Sequence, residues 1–300
     1  MQQENRLYDA VIIGGGPAGV SCAVWLARLG FAPVLVEAGP EIGGLCRRNP
    51  FHDDWNASLP GLRGEQVADN LALSLEQARV PVLLSLPVTH IEPEPDGYVV
   101  QAGSPALQLR APHVVLATGV VARGLPGYAG QAFDGILVGP GVHVVAQDFA
   151  GLRVAVLGGG DNAFENALYA LDRDASAVDL YARSVRAQRQ FVQRFPTQHV
   201  RVGDYSVDPV ARTVNGKVYD LILVLYGWEP CVHFAENLAL RRSARGYVEV
   251  DPYTAETSCP GIYAVGEVSQ RQHPCVVTAL ADGVTAAKAI QARLEAALGA

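Results

Sequence analysis

Lysine is almost missing from this chain. Lys217 and Lys288 are the only two, so arginine carries nearly all the positive charge. The formal net charge is −7, which argues against general nucleic-acid or anionic-membrane binding but leaves room for a local basic site. Long apolar runs are missing too. The longest, near residues 114–121 and 221–226, fall far short of the roughly 18 residues a membrane span needs. Residues 1–10 carry Glu4, Arg6 and Asp9 and lead straight into a strand. No secretory signal fits there, and a cytoplasmic location is expected. Paired cysteines are also lacking. Cys22, Cys46, Cys231, Cys259 and Cys275 are odd in number, and no two stand at CxxC spacing. A disulfide framework or a metal site is therefore not expected, and each cysteine reads as a small buried apolar residue.

What the chain does have is a restarting pattern. With 300 residues, 49% of them hydrophobic, it can build one large domain or two ordinary ones. Residues 8–13 read as a buried strand. A glycine turn and a helix through about Leu29 follow, then a second strand at 33–36. The stretch 65–77 reads as an amphipathic helix, 88–91 and 98–102 as strands about Pro95-Asp96-Gly97, and 113–117 as another buried strand. Trp25, in mid-helix, reads as core. The strand–turn–helix–strand order then repeats at 153–157, 158–160, 161–171 and 178–181. Asn215-Gly216 is a hairpin signal. Strands at 220–225 and 261–265 and a helix from about Val276 close the pattern. Such alternation specifies an α/β fold with parallel sheets.

Two glycine turns carry the chemistry. Gly14-Gly15-Gly16-Pro17-Ala18-Gly19 matches G-x-G-x-x-G between a strand and a helix. Gly14 permits the tight turn, Gly16 lets a pyrophosphate approach the backbone, and Gly19 lets helix and strand pack closely. The N-terminus of the helix that follows offers free N–H groups and a positive dipole end to the phosphates. Glu37 stands at the next strand end, where a carboxylate accepts hydrogen bonds from an adenosine ribose. Gly158-Gly159-Gly160-Asp161-Asn162-Ala163 repeats the geometry, with Ala163 as the permitted small third residue. The strand after it ends at Ala182-Arg183-Ser184, with Arg186 and Arg189 close behind and no acid. Arginine suits a 2′-phosphate where an acid would select a free hydroxyl, so NADPH is expected over NADH. Arg189 and Arg194 also read as the solvated face of the next helix.

In this order the motifs resemble the low-molecular-weight thioredoxin reductase family over nearly the whole chain. The marks are residues 14–19, Glu37, Gly43-Gly44, Ala117-Thr118-Gly119, residues 158–163, Gly227-Trp228-Glu229-Pro230 and residues 261–267. The resemblance implies two Rossmann-like dinucleotide-binding domains, the second inserted in the first. Residues 1–121 and 246–300 would bind FAD, and residues 122–245 would bind NAD(P)H. It implies FAD contacts at Gly14, Gly16, Pro17, Ala18, Gly19, Glu37, Gly44, Leu45, Asn56, Val88, Gly119, Gly266, Glu267, Cys275 and Val276. The helix after Cys275 would aim its N-terminus at the flavin ring near Val276. NADPH contacts fall on Gly158, Gly160, Asp161, Asn162, Ala163, Arg183 and Arg186. The resemblance further implies a homodimer, and domain reorientation with hinges near 119–124 and 227–246.

The departures from that family are informative. Its members carry a CxxC just before the second glycine turn, where this chain has Gly141-Val142-His143-Val144. Thioredoxin reduction by the usual route is therefore not expected. Residues 141–151 look closer to the thioredoxin-reductase-like ferredoxin/flavodoxin–NADP reductases, which lack the dithiol. The family's His-Arg-Arg becomes Ala182-Arg183-Ser184, its Gly-Asp near the flavin becomes Gly266-Glu267, and no aromatic extension follows the last helix. A relative that reduces low-molecular-weight disulfides has a cysteine where this chain has Ala18.

Lesser candidates remain. Cys46 could act as a redox thiol if Arg47 and Arg48 make its setting electropositive. His52, Asp53, Asp54, Trp55 and Asn56 form a loop that reads equally as surface or as flavin contact. His143 and His273 are acid–base candidates, each also readable as an ordinary loop residue. No catalytic side chain is assigned, because positioning and electrostatics are the protein's part in flavin chemistry. Three functions are open. The first is an FAD-dependent reductase moving electrons from NADPH to ferredoxin, flavodoxin or another diffusible acceptor. The second is a thiol or disulfide oxidoreductase using Cys46 or Cys275. The third is a non-catalytic or sensory flavoprotein.

Overall fold

A computed structural model describes residues 8–53, 55–271 and 273–299. The chain opens with β1 (Ala10–Ile13), α1 (Pro17–Arg28) and β2 (Pro33–Val36). Pro17 takes a first-turn position, where its missing N–H costs nothing. After α2 (Leu45–Arg48), α3 (Gly64–Gln77) and β3 (Val82–Leu83) come β4 (Val88–Glu94), β5 (Gly97–Ala102), β6 (Leu107–Ala111) and β7 (His113–Leu116). The strand β8 (Val120–Ala122) leads to β9 (Ile136–Val138), α4 (Val142–Val145), β10 (Arg153–Leu157), α5 (Asp161–Leu171) and β11 (Ala177–Ala182). Then come α6 (Arg189–Arg194), β12 (Val200–Val202), β13 (Val207–Asp208), β14 (Thr213–Val214), β15 (Lys217–Val218) and β16 (Leu221–Val224). The last elements are β17 (Trp228–Pro230), β18 (Ile262–Ala264) and α7 (Val276–Leu298).

The chain divides into two compact units, Val121–Glu229 and everything on either side of it. The two passages between them, β8 and β17, pair as a two-stranded ribbon.

The outer unit is built on a parallel sheet in the order β18-β7-β1-β2-β3. Its inner strands β7, β1 and β2 are buried at every position because both faces are covered. Ile12, Leu35, Val115 and Tyr263 pack with Leu26, Leu75 and Ile290 of α1, α3 and α7. Val11, Val34, Val114 and Ile262 pack on the other face with Val100 and Leu109 of the antiparallel β4–β5–β6 sheet. α1 and α7 cross closely at Gly283, where a Cβ would stand 2.3 Å from the Ala18 carbonyl oxygen.

The inserted unit repeats the plan in the order β12-β11-β10-β16-β9. Val154, Val156, Leu180 and Leu223 pack under Phe164 and Ala167 of α5. Ala155, Leu157, Tyr181 and Ile222 pack under the β13–β14–β15 meander, which turns at Asn215 and Gly216, both at positive φ. The buried Asp179 carboxylate ties that meander down. It accepts from Lys217 Nζ at 2.6 Å and Tyr219 Oη at 2.8 Å, so one of the two lysines is spent on an internal ion pair.

Three expectations need correction. The chain returns to the outer unit at Pro230 rather than at 246. Val232, Ala235, Leu238 and Leu240 are buried in the core beneath β4–β6, so residues 230–245 belong with that sheet. Trp25 is 42% exposed, because α1 turns Val20, Ala23 and Leu26 inward instead. The cysteines are all free, but only Cys22 and Cys46 are buried. Cys231 and Cys259 are half-buried, and Cys275 is exposed at the start of α7. Among the described residues no helix is long and apolar enough to cross a membrane. The expectations placed on Glu4, Arg6 and Asp54 lie outside the described residues.

Candidate nucleotide-binding sites

In the outer unit, parallel register brings the ends of β1, β2, β7 and β18 to one edge: Ile13 aligns with Val36 and Leu116, and Leu116 with Ala264. The loops that leave this edge hold Gly14–Gly19, Glu37, Gly119 and Gly266–Glu267. In open α/β sheets this carboxyl edge is where ligands bind. Gly14 sits at φ +111, and a Cβ there would stand 2.4 Å from the Ala117 carbonyl oxygen. A Cβ on Gly19 would meet the Gly14 oxygen at 2.0 Å, so helix and turn touch backbone to backbone. Gly16 is different, with nothing within 4 Å of its Cβ position. It caps α1 without any side-chain hydrogen bond, so the first N–H groups of the helix take no partner from their cap residue.

The Glu37 carboxylate braces this turn. Its Oε2 accepts from Gly15 N at 2.6 Å and its Oε1 from Gly39 N at 2.7 Å. Each oxygen keeps a lone pair for a ribose hydroxyl. Gly43 N donates to Gly15 O at 2.9 Å, and a Cβ on Gly44 would lie 3.2 Å from Gly16 Cα. This brings Gly44 and Leu45 against the phosphate turn. Leu86 N donates to Glu37 O at 3.0 Å, which leads the chain past Glu37 into β4 at Val88.

Two buried polar atoms in the 50–62 loop have no protein partner, Asn56 Nδ2 and Asp53 Oδ2. Asn56 is 2% exposed, so it is no ordinary surface residue, whereas Trp55 beside it is 75% exposed. The Glu267 carboxyl is pushed up by burial. Glu267, Cys275, Thr278 and Asp282 line a small cavity of about 10 Å³ at the start of α7. Cys275 caps α7, with Thr278 N donating to its Sγ at 3.5 Å. Asp282 holds the flanking loop: its Oδ2 accepts from Gly266 N at 3.1 Å, while Oδ1 accepts from Arg271 Nε at 3.1 Å. Arg271 and Asp282 had no signal in the sequence, because loop and helix-face contacts follow no motif.

Cys46 is buried, as its apolar reading expects, and its setting does not favour the alternative of a redox thiol. Its thiol is pushed up to about 12 by burial, with Asp53 and Glu267 adding to the shift. Arg47 gives no relief, because it pairs with Asp69 at 2.6 Å and Glu41 at 3.7 Å. Both carboxylates facing the sulfur oppose the thiolate that redox chemistry requires. His143 Nε2 lies 3.2 Å from the Val138 oxygen in the inserted unit, and the His273 oxygen accepts from Thr278 Oγ1 at 2.6 Å.

The inserted unit reproduces the opening of the first turn. Gly158 N donates to Tyr181 O at 2.8 Å, as Gly14 N does to Val36 O at 2.8 Å. A Cβ on Gly158 would stand 2.3 Å from Leu225 O, and Gly160, like Gly16, has open space at its Cβ position. Ala163 packs into the core beneath the turn, and Asn162 O accepts from Asn166 Nδ2 at 2.7 Å. Arg183 and Arg186 leave the end of β11 exposed to solvent. Arg183 lies near Tyr205 and Tyr226. These two tyrosines, far apart in sequence, had no signal there. Arg189 and Arg194 lie on α6, which buries no residue, as a solvated face should.

Two glycine turns of one design, each opening a helix at the carboxyl edge of a parallel sheet, define a two-dinucleotide oxidoreductase. The family model for pyridine nucleotide-disulphide oxidoreductases matches residues 8–283, and the chain belongs to this family. Its chemistry is flavin-dependent oxidoreduction with a pyridine nucleotide. Ferredoxin–NADP reductase of Limosilactobacillus fermentum is 30% identical, over 87% of this chain and 85% of that protein. Thioredoxin reductase of Bacillus subtilis is 27% identical, over 97% of this chain and 96% of that protein. The crystal structure of Lactococcus lactis thioredoxin reductase superposes with a TM-score of 0.79 at 27% identity, covering 95% of this chain and 98% of that one.

Proposed function

We propose that this chain is an FAD-dependent reductase that draws electrons from NADPH and hands them to a diffusible or protein acceptor of the ferredoxin or flavodoxin kind, with no dithiol of its own. The observation that carries the reading is the open space at Gly16, with the unpartnered Asn56 amide in the same unit. The residues present fit FAD. Gly14, Gly16, Pro17, Ala18 and Gly19 would hold its pyrophosphate, Glu37 its adenosine ribose, and Gly44, Leu45, Asn56, Val88, Gly119, Gly266, Glu267, Cys275 and Val276 the remainder. Bound there, FAD would supply the exchange between the two-electron nicotinamide and a one-electron acceptor. The chain's own work is positional. Glu37 braces the phosphate turn, Asp282 fixes the Gly266 loop, and the first turn of α7 presents its positive dipole end. In the inserted unit, Gly158, Gly160, Asn162 and Ala163 would receive the NADPH pyrophosphate, and Arg183 and Arg186 its 2′-phosphate.

Residues 141–144 offer no thiol to relay electrons, which is why a dithiol substrate is set aside, and the Limosilactobacillus relative is by name a ferredoxin–NADP reductase. The test is anaerobic stopped-flow spectroscopy. Rapid bleaching of the flavin band by NADPH, followed by reoxidation on adding ferredoxin or flavodoxin but not oxidised thioredoxin, is expected. Loss of turnover in Cys275→Ser would favour a thiol route instead. No bleaching by either nicotinamide nucleotide would favour a non-catalytic flavoprotein.

A further inference from the structure

The loop that carries Arg183 and Arg186 is fastened to the second glycine turn at three points. Ser184 O passes so close to Gly159 that a Cβ there would stand 2.0 Å away. Gly159 O accepts from the backbone N–H of Arg186 at 2.7 Å and of Ala187 at 3.0 Å. Asp161 takes the third point with both oxygens: Oδ1 accepts from Gln188 N at 2.6 Å and Oδ2 from Gln188 Nε2 at 2.8 Å.

Asp161 stands where an acid is electrostatically wrong for a phosphate ligand. It opens α5, at the positive dipole end that a pyrophosphate would use, and a free carboxylate there repels the ligand. Its partners are two neutral donors, so what it offers the loop is acceptor geometry. We propose that Asp161 and Gln188 form a latch that holds the arginine loop in the shape needed for a 2′-phosphate. They would be positioning residues for NADPH preference, although neither touches the phosphate. This rests on the reading of the inserted unit as the NADPH site.

The latch and the charge can be separated by substitution. In Asp161→Asn the side-chain oxygen still accepts from Gln188 N. A rotated Gln188 amide then accepts from the new Nδ2, so the latch survives without the charge. Asp161→Ala and Gln188→Ala break it, and Gln188 is exposed, so its loss leaves the core intact.

The experiment is calorimetric titration of the full chain with adenosine 2′,5′-bisphosphate and with 5′-AMP, a readout that needs no turnover. Both alanine variants are expected to bind the bisphosphate about tenfold more weakly while AMP stays within about twofold. Asp161→Asn is expected to keep the wild-type ratio. KM for NADPH should rise in parallel with kcat unchanged. Equal weakening of both ligands, no weakening of either, or an asparagine variant that behaves like alanine would overturn the latch. Arg183→Ala is the control. If it leaves bisphosphate binding unchanged, the NADPH reading fails and the latch falls with it. If it weakens binding while Asp161→Ala does not, only the latch falls.

Discussion

At the scale of single residues, burial decides which groups can react. His113 is buried, and its ring Nδ1 has no hydrogen-bond partner. Burial, with the nearby Arg293 charge, lowers its pKa to about 4. The folded protein holds it neutral, whereas the unfolded chain protonates it near its ordinary value of about 6.5. Its contribution is therefore complete above pH 6.5 and is lost as pH falls from 6.5 to 4, by at most about 3 kcal/mol. Urea melts across that window should show wild-type stability dropping, with a shallower drop in His113→Gln; an unchanged slope would place the acid sensitivity elsewhere. The thiols should divide in the same way. Cys275 is exposed and Cys46 is buried between two acids, so a thiol reagent at neutral pH should modify Cys275 first and reach Cys46 only on unfolding. Mass spectrometry of the labelled peptides settles the order. In the sequence Cys46 and Cys275 looked alike, because neither the acids facing Cys46 nor the turn exposing Cys275 is adjacent in a readable motif.

At the scale of elements, the repeated strand–turn–helix was plain from the residues alone. Apolar runs flanked by Gly14–Gly19 and Gly158–Ala163 admit few other structures. β6 and the short edge strands β3, β9 and β12 were not legible. Edge strands of two or three residues carry too few side chains for a period to show, and their partners in the sheet lie far along the chain. The α1–α7 crossing was also hidden, since Gly283 looks like a weak point in a helix. Propensity alone says Gly283→Ala should stabilise α7 by about 1 kcal/mol. The structure says the opposite, because the new methyl group would press on the Ala18 oxygen at 2.3 Å and Cys22 N at 2.8 Å. Overpacking of this kind costs about 1–3 kcal/mol or more. Gly283→Ala should therefore lower the thermal midpoint by several degrees and release flavin more readily, since α1 carries the first phosphate turn. A raised midpoint would show that the crossing has slack.

At the scale of the molecule, each of the two units has its own core. The fold class and the order of the two glycine turns could be read in advance, because glycine turns and strand ends are local. The return point near 230 could not, because what assigns residues 230–245 to the outer sheet is packing against β4–β6 rather than any local pattern. The inserted unit has its own buried residues on both faces of its sheet. Residues 121–229 expressed alone should unfold cooperatively and bind adenosine 2′,5′-bisphosphate but no flavin, as circular dichroism and calorimetry would show. Broad, non-cooperative melting would mean that its core depends on the rest of the chain.

The entry and exit strands of the insertion, β8 and β17, lie side by side. The seam they make is short, so the chain leaves the outer unit and returns to it through one paired ribbon. A graft from a relative with a different nucleotide preference should be tolerated at this seam, and a change of coenzyme would then come as one transplant rather than many substitutions.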